Sequence, residues 1–247
     1  MSRLLLLLAV FAVVLLSGCS MPDMIVNGIG RAVTGSGNLI TLEPTFQDFS
    51  RVEFSHAFQA DVTQGESYSI VITIDDNLQQ YLEVSQTGDT LKAGFKPELM
   101  LSLRNATMKA RITMPELTGV RGSGATRITI GGFESSRDLA VDLSGASTLR
   151  GQIDAGDLQA DVSGASRVEL TGRGQDGRIS VSGASQANLA DFAMQNVAVE
   201  ASGASRAEVN ASGRLDAEAS GASTVGYAGT PTMGRIETSG ASSVRER

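Results

Sequence analysis

The chain has 247 residues, with 20 basic and 27 acidic side chains, a formal charge of −7 and one cysteine. The acidic balance argues against nucleic acid, whose phosphates need a basic patch, and a lone cysteine excludes an intramolecular disulfide. With no Trp, three Tyr and 28 Gly, the apolar positions fall to Val, Ile, Leu and Ala, a mix suited to strands and tight corners around a thin, elongated core.

Residues 1–18 read as an export signal. Arg3 is followed by an apolar run from Leu4 to Leu16 and then Ser17-Gly18-Cys19, a stretch too short to span a bilayer as a helix. Leu16-Ser17-Gly18-Cys19 resembles the bacterial lipoprotein box, in which cleavage before the cysteine exposes it for lipidation. Cys19 is therefore the expected lipid attachment point, and Ser20 after it favours the outer membrane by the sorting rule of enteric bacteria. Removing Arg3 with the signal leaves 19 basic and 27 acidic groups, a charge of −8. Residues 19–37, small and polar with Pro22, Gly28, Gly30, Gly35 and Gly37, read as the lipidated N-terminus and a tether.

Residues 38–117 form a β-rich region without an internal repeat. Val52-Glu53-Phe54, Phe58 to Val62 and Tyr68 to Ile74 alternate or run apolar, and Gln64-Gly65-Glu66 and Thr87-Gly88-Asp89 mark turns. Asp75 to Leu82 predicts one helical turn. The region is expected to cover the open end of the repeat array that occupies the rest of the chain.

From 118 to 247 a four-residue phrase recurs: SGAT at Ser123, then SGAS at Ser144, Ser163, Ser182, Ser202, Ser220 and Ser239. The intervals of 21, 19, 19, 20, 18 and 19 residues lie in the range of stacked repeat architectures. Five residues after each first serine stand Ile128, Leu149, Val168, Ala187, Ala207, Val225 and Val244, each followed by a mostly polar residue. The same alternation precedes the phrase, as in Val141-Asp142-Leu143 and Ala160-Asp161-Val162. Each coil of about 19 residues thus carries a strand on either side of the phrase, with no room for a helix. The fold class expected is all-β, a parallel β-solenoid. The phrase makes the corner, where glycine opens backbone conformations closed to other residues and stacked serines form a hydrogen-bonded ladder.

Two residues before each phrase stand Arg121, Asp142, Asp161, Ser180, Glu200, Glu218 and Glu237. Parallel stacking lines them along one face. Like charges about 4.8 Å apart in water repel by about 1 kcal/mol per adjacent pair before screening. Asp142, Asp161, Glu200, Glu218 and Glu237 are the candidate interaction stripe for cations or a basic partner; the plainer reading is a solvated acidic face. Arg127, Arg167 and Arg206 relieve that charge if the adjacent face brings them near. No catalytic residue, metal site or cofactor is expected. No phrase fits G-x-S-x-G, His56 is the single histidine, and the spacings of HExxH and CxxC are missing. Gly172 to Asp176 echoes a calcium-binding repeat in one imperfect copy and reads better as a turn.

The chain resembles the bacterial family of the putative auto-transporter adhesin, head GIN domain. Gly35-Ser36-Gly37, Phe49-Ser50-Arg51-Val52, Val62-Thr63-Gln64-Gly65, Met114-Pro115-Glu116-Leu117 and the SGAS coils carry the resemblance, in that order, over roughly residues 33 to 244. It implies an exported β-solenoid, often lipid-anchored, with an adhesive or cell-surface role and no catalytic or ligand-binding residues to transfer. The expectation is a noncatalytic, lipid-anchored envelope protein that presents a repetitive surface for adhesion or for protein or glycan interaction. The alternatives are a periplasmic scaffold or a β-helix enzyme that processes polysaccharide, the latter weakened by short connections and few aromatics. The expected partners are the membrane, through the lipid, and a surface or envelope component, not nucleic acid. A second copy meeting the final coil is a further expectation, because that coil has no visible cap.

Overall fold

The computed structural model describes residues 31–96 and 101–247; the apolar run, Cys19 and the first part of the expected tether lie outside the described residues. The protein is all-β, a parallel β-solenoid with roughly 20 residues per coil.

Each phrase closes a corner between two strands. The strands ahead of it, Gly119–Gly122, Leu139–Leu143, Leu158–Val162, Gly177–Val181, Val197–Ala201, Arg214–Ala219 and Thr232–Thr238, stack in a first sheet. The strands after it, Arg127–Glu134, Thr148–Asp154, Arg167–Arg173, Gln186–Met194, Arg206–Ala211, Thr224–Ala228 and Ser243–Glu246, stack in a second. Within each sheet neighbours run parallel, and equivalent repeat positions face each other, as in Val141 to Ala160 to Ile179 to Val199. Because side chains alternate across a strand, one set of small apolar residues points between the sheets and the polar set points out. Val141, Ala160, Ile179 and Val199 are at most 2% exposed.

The corner glycines show why the phrase is invariant at its second position. Gly164 has φ +75°, and a Cβ there would lie 2.5 Å from the carbonyl oxygen of Gly145 in the preceding coil. The backbone continues the stacking through this corner, with Ala165 N–H donating to that same oxygen at 2.7 Å. The last residue of the phrase turns inward, and Ser147, Ser166, Ser185, Ser205 and Ser223 are all buried. Their hydroxyls are satisfied by backbone: Ser147 N–H donates to Ser166 Oγ and Ser166 N–H to Ser185 Oγ, while Ser205 and Ser223 donate to Val181 and Ala201 carbonyls. The expected serine ladder thus runs between hydroxyls and backbone groups. Thr126 is the exception: its buried Oγ1 has no partner among the described residues.

Parallel stacking starts ahead of residue 118. Arg51–Phe54 pairs in parallel with Gly119–Gly122, and Gln59–Gln64 with Arg127–Glu134. Between them, Ser55-His56-Ala57-Phe58 occupies the place of a phrase. His56 at φ +58° stands where the later coils have glycine. One coil further, Thr90–Phe95 and Met108–Met114 continue the two sheets in parallel. The cap then switches direction: Leu82–Thr87 lies antiparallel to Thr90–Phe95, Ser69–Asp75 to Met108–Met114, and Leu39–Leu42 to Ser69–Asp75. The helical turn expected near Asp75 to Leu82 is a 3₁₀ segment, Asp76–Tyr81, that buries Leu78 and Tyr81.

This end holds the bulkiest part of the core, with Phe49, Phe54, Phe58, Ile72 and Ile74 each no more than 1% exposed. Part of the stretch expected as a tether is bound here, because Arg31–Thr34 pairs in parallel with Leu101–Arg104. The buried Asp75 carboxylate accepts both Gly37 N–H and Thr107 N–H at 2.7 Å. These partners are distant in sequence, so no local pattern announces them. At the opposite end Met233 and Ile236 are 44% and 37% exposed, on a strand that forms the edge of the first sheet among the described residues.

Candidate functional site

The outward face of the first sheet carries the residues singled out by the repeat. Its register places Asp142 beside Asp161, Asp161 beside Ser180, Ser180 beside Glu200, Glu200 beside Glu218 and Glu218 beside Glu237. The five acidic residues therefore belong to one column. The column also extends into the cap, where Glu53 lies between Arg121 and Lys92.

The charge is relieved from within this sheet. Arg121 bridges Asp142 at 3.0 Å and Glu53 at 3.7 Å, Lys92 reaches Glu53 at 3.5 Å, and Arg178 meets Glu200 at 3.4 Å. Arg235 holds Glu237 through two hydrogen bonds of 2.7 Å. The expectation that Arg127, Arg167 and Arg206 serve this role is corrected: they stand on the second sheet, whose outer face points away, and Arg206 pairs with Glu208 there. Asp161 and Glu218 take part in no ion pair among the described residues.

At the lower end of the solenoid, hydrogen bonding to Arg235 holds the Glu237 carboxyl below its ordinary range. The Asp216 carboxyl is lowered to about 2, first by the side-chain hydrogen bonds from Arg214 and then by the Arg235 backbone N–H. These groups lie at the surface, and such pairs fix side-chain positions more than they stabilise the fold.

A second ladder follows the turn that leads back into the first sheet. Asp138 Oδ1 accepts the N–H of Asp157 at 2.9 Å, Asp157 Oδ1 that of Asp176 at 3.1 Å, and Asp176 Oδ1 that of Asn196 at 3.1 Å. Sequence reasoning missed it, although the signal is present: each residue stands six positions before its phrase. Beside this ladder lies a groove of about 630 Å3, continuous with one of about 540 Å3 nearer the acidic column; Arg51, Ala140 and Gln159 line both.

The buried aromatics limit what the surface offers. Phe133 and Phe192 are no more than 2% exposed, so neither presents a ring for stacking on a sugar. Among the described residues no group of three or more His, Cys, Asp or Glu is arranged to hold a metal ion. His56 is a packed corner residue. Its Nδ1 lies 2.7 Å from Ser55 Oγ and accepts the Phe95 N–H at 3.3 Å, and burial lowers its pKa.

The fold is thus a repetitive two-sheet parallel solenoid whose first sheet carries a column of charged residues on its outward face. The model of the family described as putative auto-transporter adhesin, head GIN domain, matches residues 48–231, and the chain belongs to that family. Among solved structures, a putative adhesin from Bacteroides fragilis is similar over 87% of this chain and 100% of its own, at 21% identity and a TM-score of 0.81. A putative lipid binding protein from Parabacteroides distasonis gives 18% identity, 88% and 100% coverage and a TM-score of 0.72. A putative adhesin from Parabacteroides merdae gives 20%, 87% and 99%, and 0.65. These likenesses establish the shared fold. No curated protein sequence matches. Among the described residues no helix is long and apolar enough to cross a membrane.

Proposed function

We propose that this protein is a noncatalytic adhesin of the cell surface, exported by residues 1–18, anchored through lipid on Cys19 in the outer membrane, and binding through the outward face of its first sheet. The observation that carries the reading is the parallel register, which repeats equivalent outward positions coil after coil. Repeated weak sites on a rigid face gain joint affinity well beyond that of one site, the arithmetic suited to attachment. Family membership supports the adhesive role. The two adjoining grooves on this sheet are lined by charged side chains, which favours a polar ligand over the lipid that the Parabacteroides distasonis name describes.

The acidic stripe of Asp142, Asp161, Glu200, Glu218 and Glu237 is one part of this face. The exposed Met233 and Ile236 edge is the proposed contact for a second copy. The role is tested by comparing cells that carry the full chain with cells that lack it for attachment to protein-coated and polysaccharide-coated surfaces. Greater retention on at least one coating is expected. Equal retention on all of them contradicts adhesion and favours a scaffold inside the envelope.

A further inference from the structure

We propose that the trough around Arg51 binds an acidic polysaccharide, with the guanidinium taking an oxyanion group and the neighbouring carboxylates and amide taking hydroxyls. The inference rests on the adhesive reading above and names the ligand class of that face.

The trough is built by the register of four strands. Arg51, Gly119, Ala140 and Gln159 are consecutive neighbours across the first sheet. Two small residues between two long ones leave a hollow that runs along the solenoid axis, and the two grooves are its halves. Arg51 lies over this floor: a Cβ on Gly119 would come within 2.8 Å of its Nε and 2.9 Å of its Cζ.

What sets Arg51 apart is its lack of a partner. The other arginines directed out from this sheet, Arg121, Arg178, Arg214 and Arg235, each engage a carboxylate. Arg51 has no ion pair and no side-chain hydrogen bond among the described residues. A guanidinium offers a planar fork of donors that matches the two oxygens of a carboxylate or sulfate.

The surroundings add a second requirement. Asp138 and Asp157 border the same groove, and each has one carboxylate oxygen fixed by a backbone N–H of the next coil. Their other oxygens accept hydroxyl hydrogens, as do Asp89 and the Gln159 amide oxygen, which also line it. The lining is mixed in charge: Arg137 and Arg178 also border the groove but are engaged by Glu116 and Glu200. Arg51 is thus the cation left for an oxyanion, and a small bare anion would leave the carboxylate oxygens without a donor. A chain that carries both hydroxyls and an oxyanion satisfies both sets of groups, and a groove along the axis suits a linear polymer. Fixing the carboxylate acceptors in advance lowers the ordering cost of binding.

The full-length protein, purified in detergent, is titrated calorimetrically with polygalacturonate, heparin, neutral dextran and inorganic phosphate. Binding is expected for at least one of the two polyanions and for neither dextran nor phosphate, and the preferred polyanion identifies carboxylate or sulfate as the oxyanion. Arg51→Gln should weaken it at least tenfold. Gly119→Val, which fills the seat of the guanidinium, should do likewise, while Arg167→Gln on the second sheet should leave it unchanged. Unaltered thermal melts check that the variants fold. Failure of both polyanions to bind, equal binding of dextran or phosphate, or equal losses in Arg51→Gln and Arg167→Gln would overturn the assignment. If cells attach normally while the purified protein binds neither polyanion, the ligand class fails and the adhesive role stands.

Discussion

Replacing Gly164 by alanine should destabilise the solenoid well beyond an ordinary glycine substitution. The φ of +75° puts an L side chain in the left-handed region at about 1–2 kcal/mol. The new Cβ would also stand 2.5 Å from Gly145 O and 3.0 Å from Gly145 N, backbone atoms that move only with the coil. Opening that contact strains the 2.7 Å bond from Ala165 N–H to Gly145 O, so packing and hydrogen bonding add about 1–3 kcal/mol. The expected total is about 2–5 kcal/mol. Gly88→Ala is the internal control: its φ is +59° but nothing lies within 4 Å of its Cβ, leaving only the conformational cost of about 1–2 kcal/mol. Urea unfolding followed by circular dichroism compares the two. Equal losses would mean that the phrase keeps glycine for backbone conformation alone, not for the close approach of coils.

Four further outcomes rest on the same geometry. Thr126→Val removes a buried hydroxyl without a partner and should be neutral or stabilising by about 1 kcal/mol, whereas Ser166→Ala orphans the Ser147 N–H and should cost about 1–2 kcal/mol; thermal melts rank the pair. The depressed Asp216 carboxyl favours the folded state above its ordinary pKa of 3.8, and that contribution fades as pH falls toward about 2. Carbon-detected NMR should find Asp216 titrating well below its ordinary value, and Arg214→Gln should raise it. Burial makes the folded state resist protonation of His56, so as pH falls below 6.5 the unfolded chain takes the proton first and the cap loses stability. Faster exchange of the Phe95 amide at pH 5 than expected from intrinsic rates would register this, and unchanged protection would count against it. Ile236→Lys should abolish any concentration-dependent dimer seen by sedimentation, and a dimer indifferent to it lies elsewhere.

The repeat half was legible because periodicity does two things at once. The spacing sets the coil, and alternation on either side of the phrase sets which residues point inward, so Val141, Ala160 and Ile179 could be assigned to the core without coordinates. The same logic placed Asp142 through Glu237 in one column. It failed for their counter-ions because a corner sends the next strand to the opposite sheet, so nearness in sequence to Arg167 or Arg206 means a face turned away. Arg178 and Arg235 escaped notice although they lie two positions from the column on the same strands. The trough was beyond reach for a different reason. It depends on Arg51 neighbouring Gly119, residues brought together only because the excursion through the cap returns the chain to the same sheet. Ser55-His56-Ala57-Phe58 hides that first coil, since histidine fills the glycine position.

Surface display is the claim on which the adhesive account stands, and labelling intact cells tests it most directly. Gly131→Cys introduces a thiol at a site where a Cβ meets nothing within 4 Å. Cells carrying this variant of the full chain are treated with a membrane-impermeant maleimide beside cells carrying the unaltered chain, with a periplasmic cysteine protein as marker. The account predicts labelling of Gly131→Cys on intact cells while the marker stays unlabelled until lysis. Labelling of both proteins only after lysis would contradict it and place the solenoid inside the envelope.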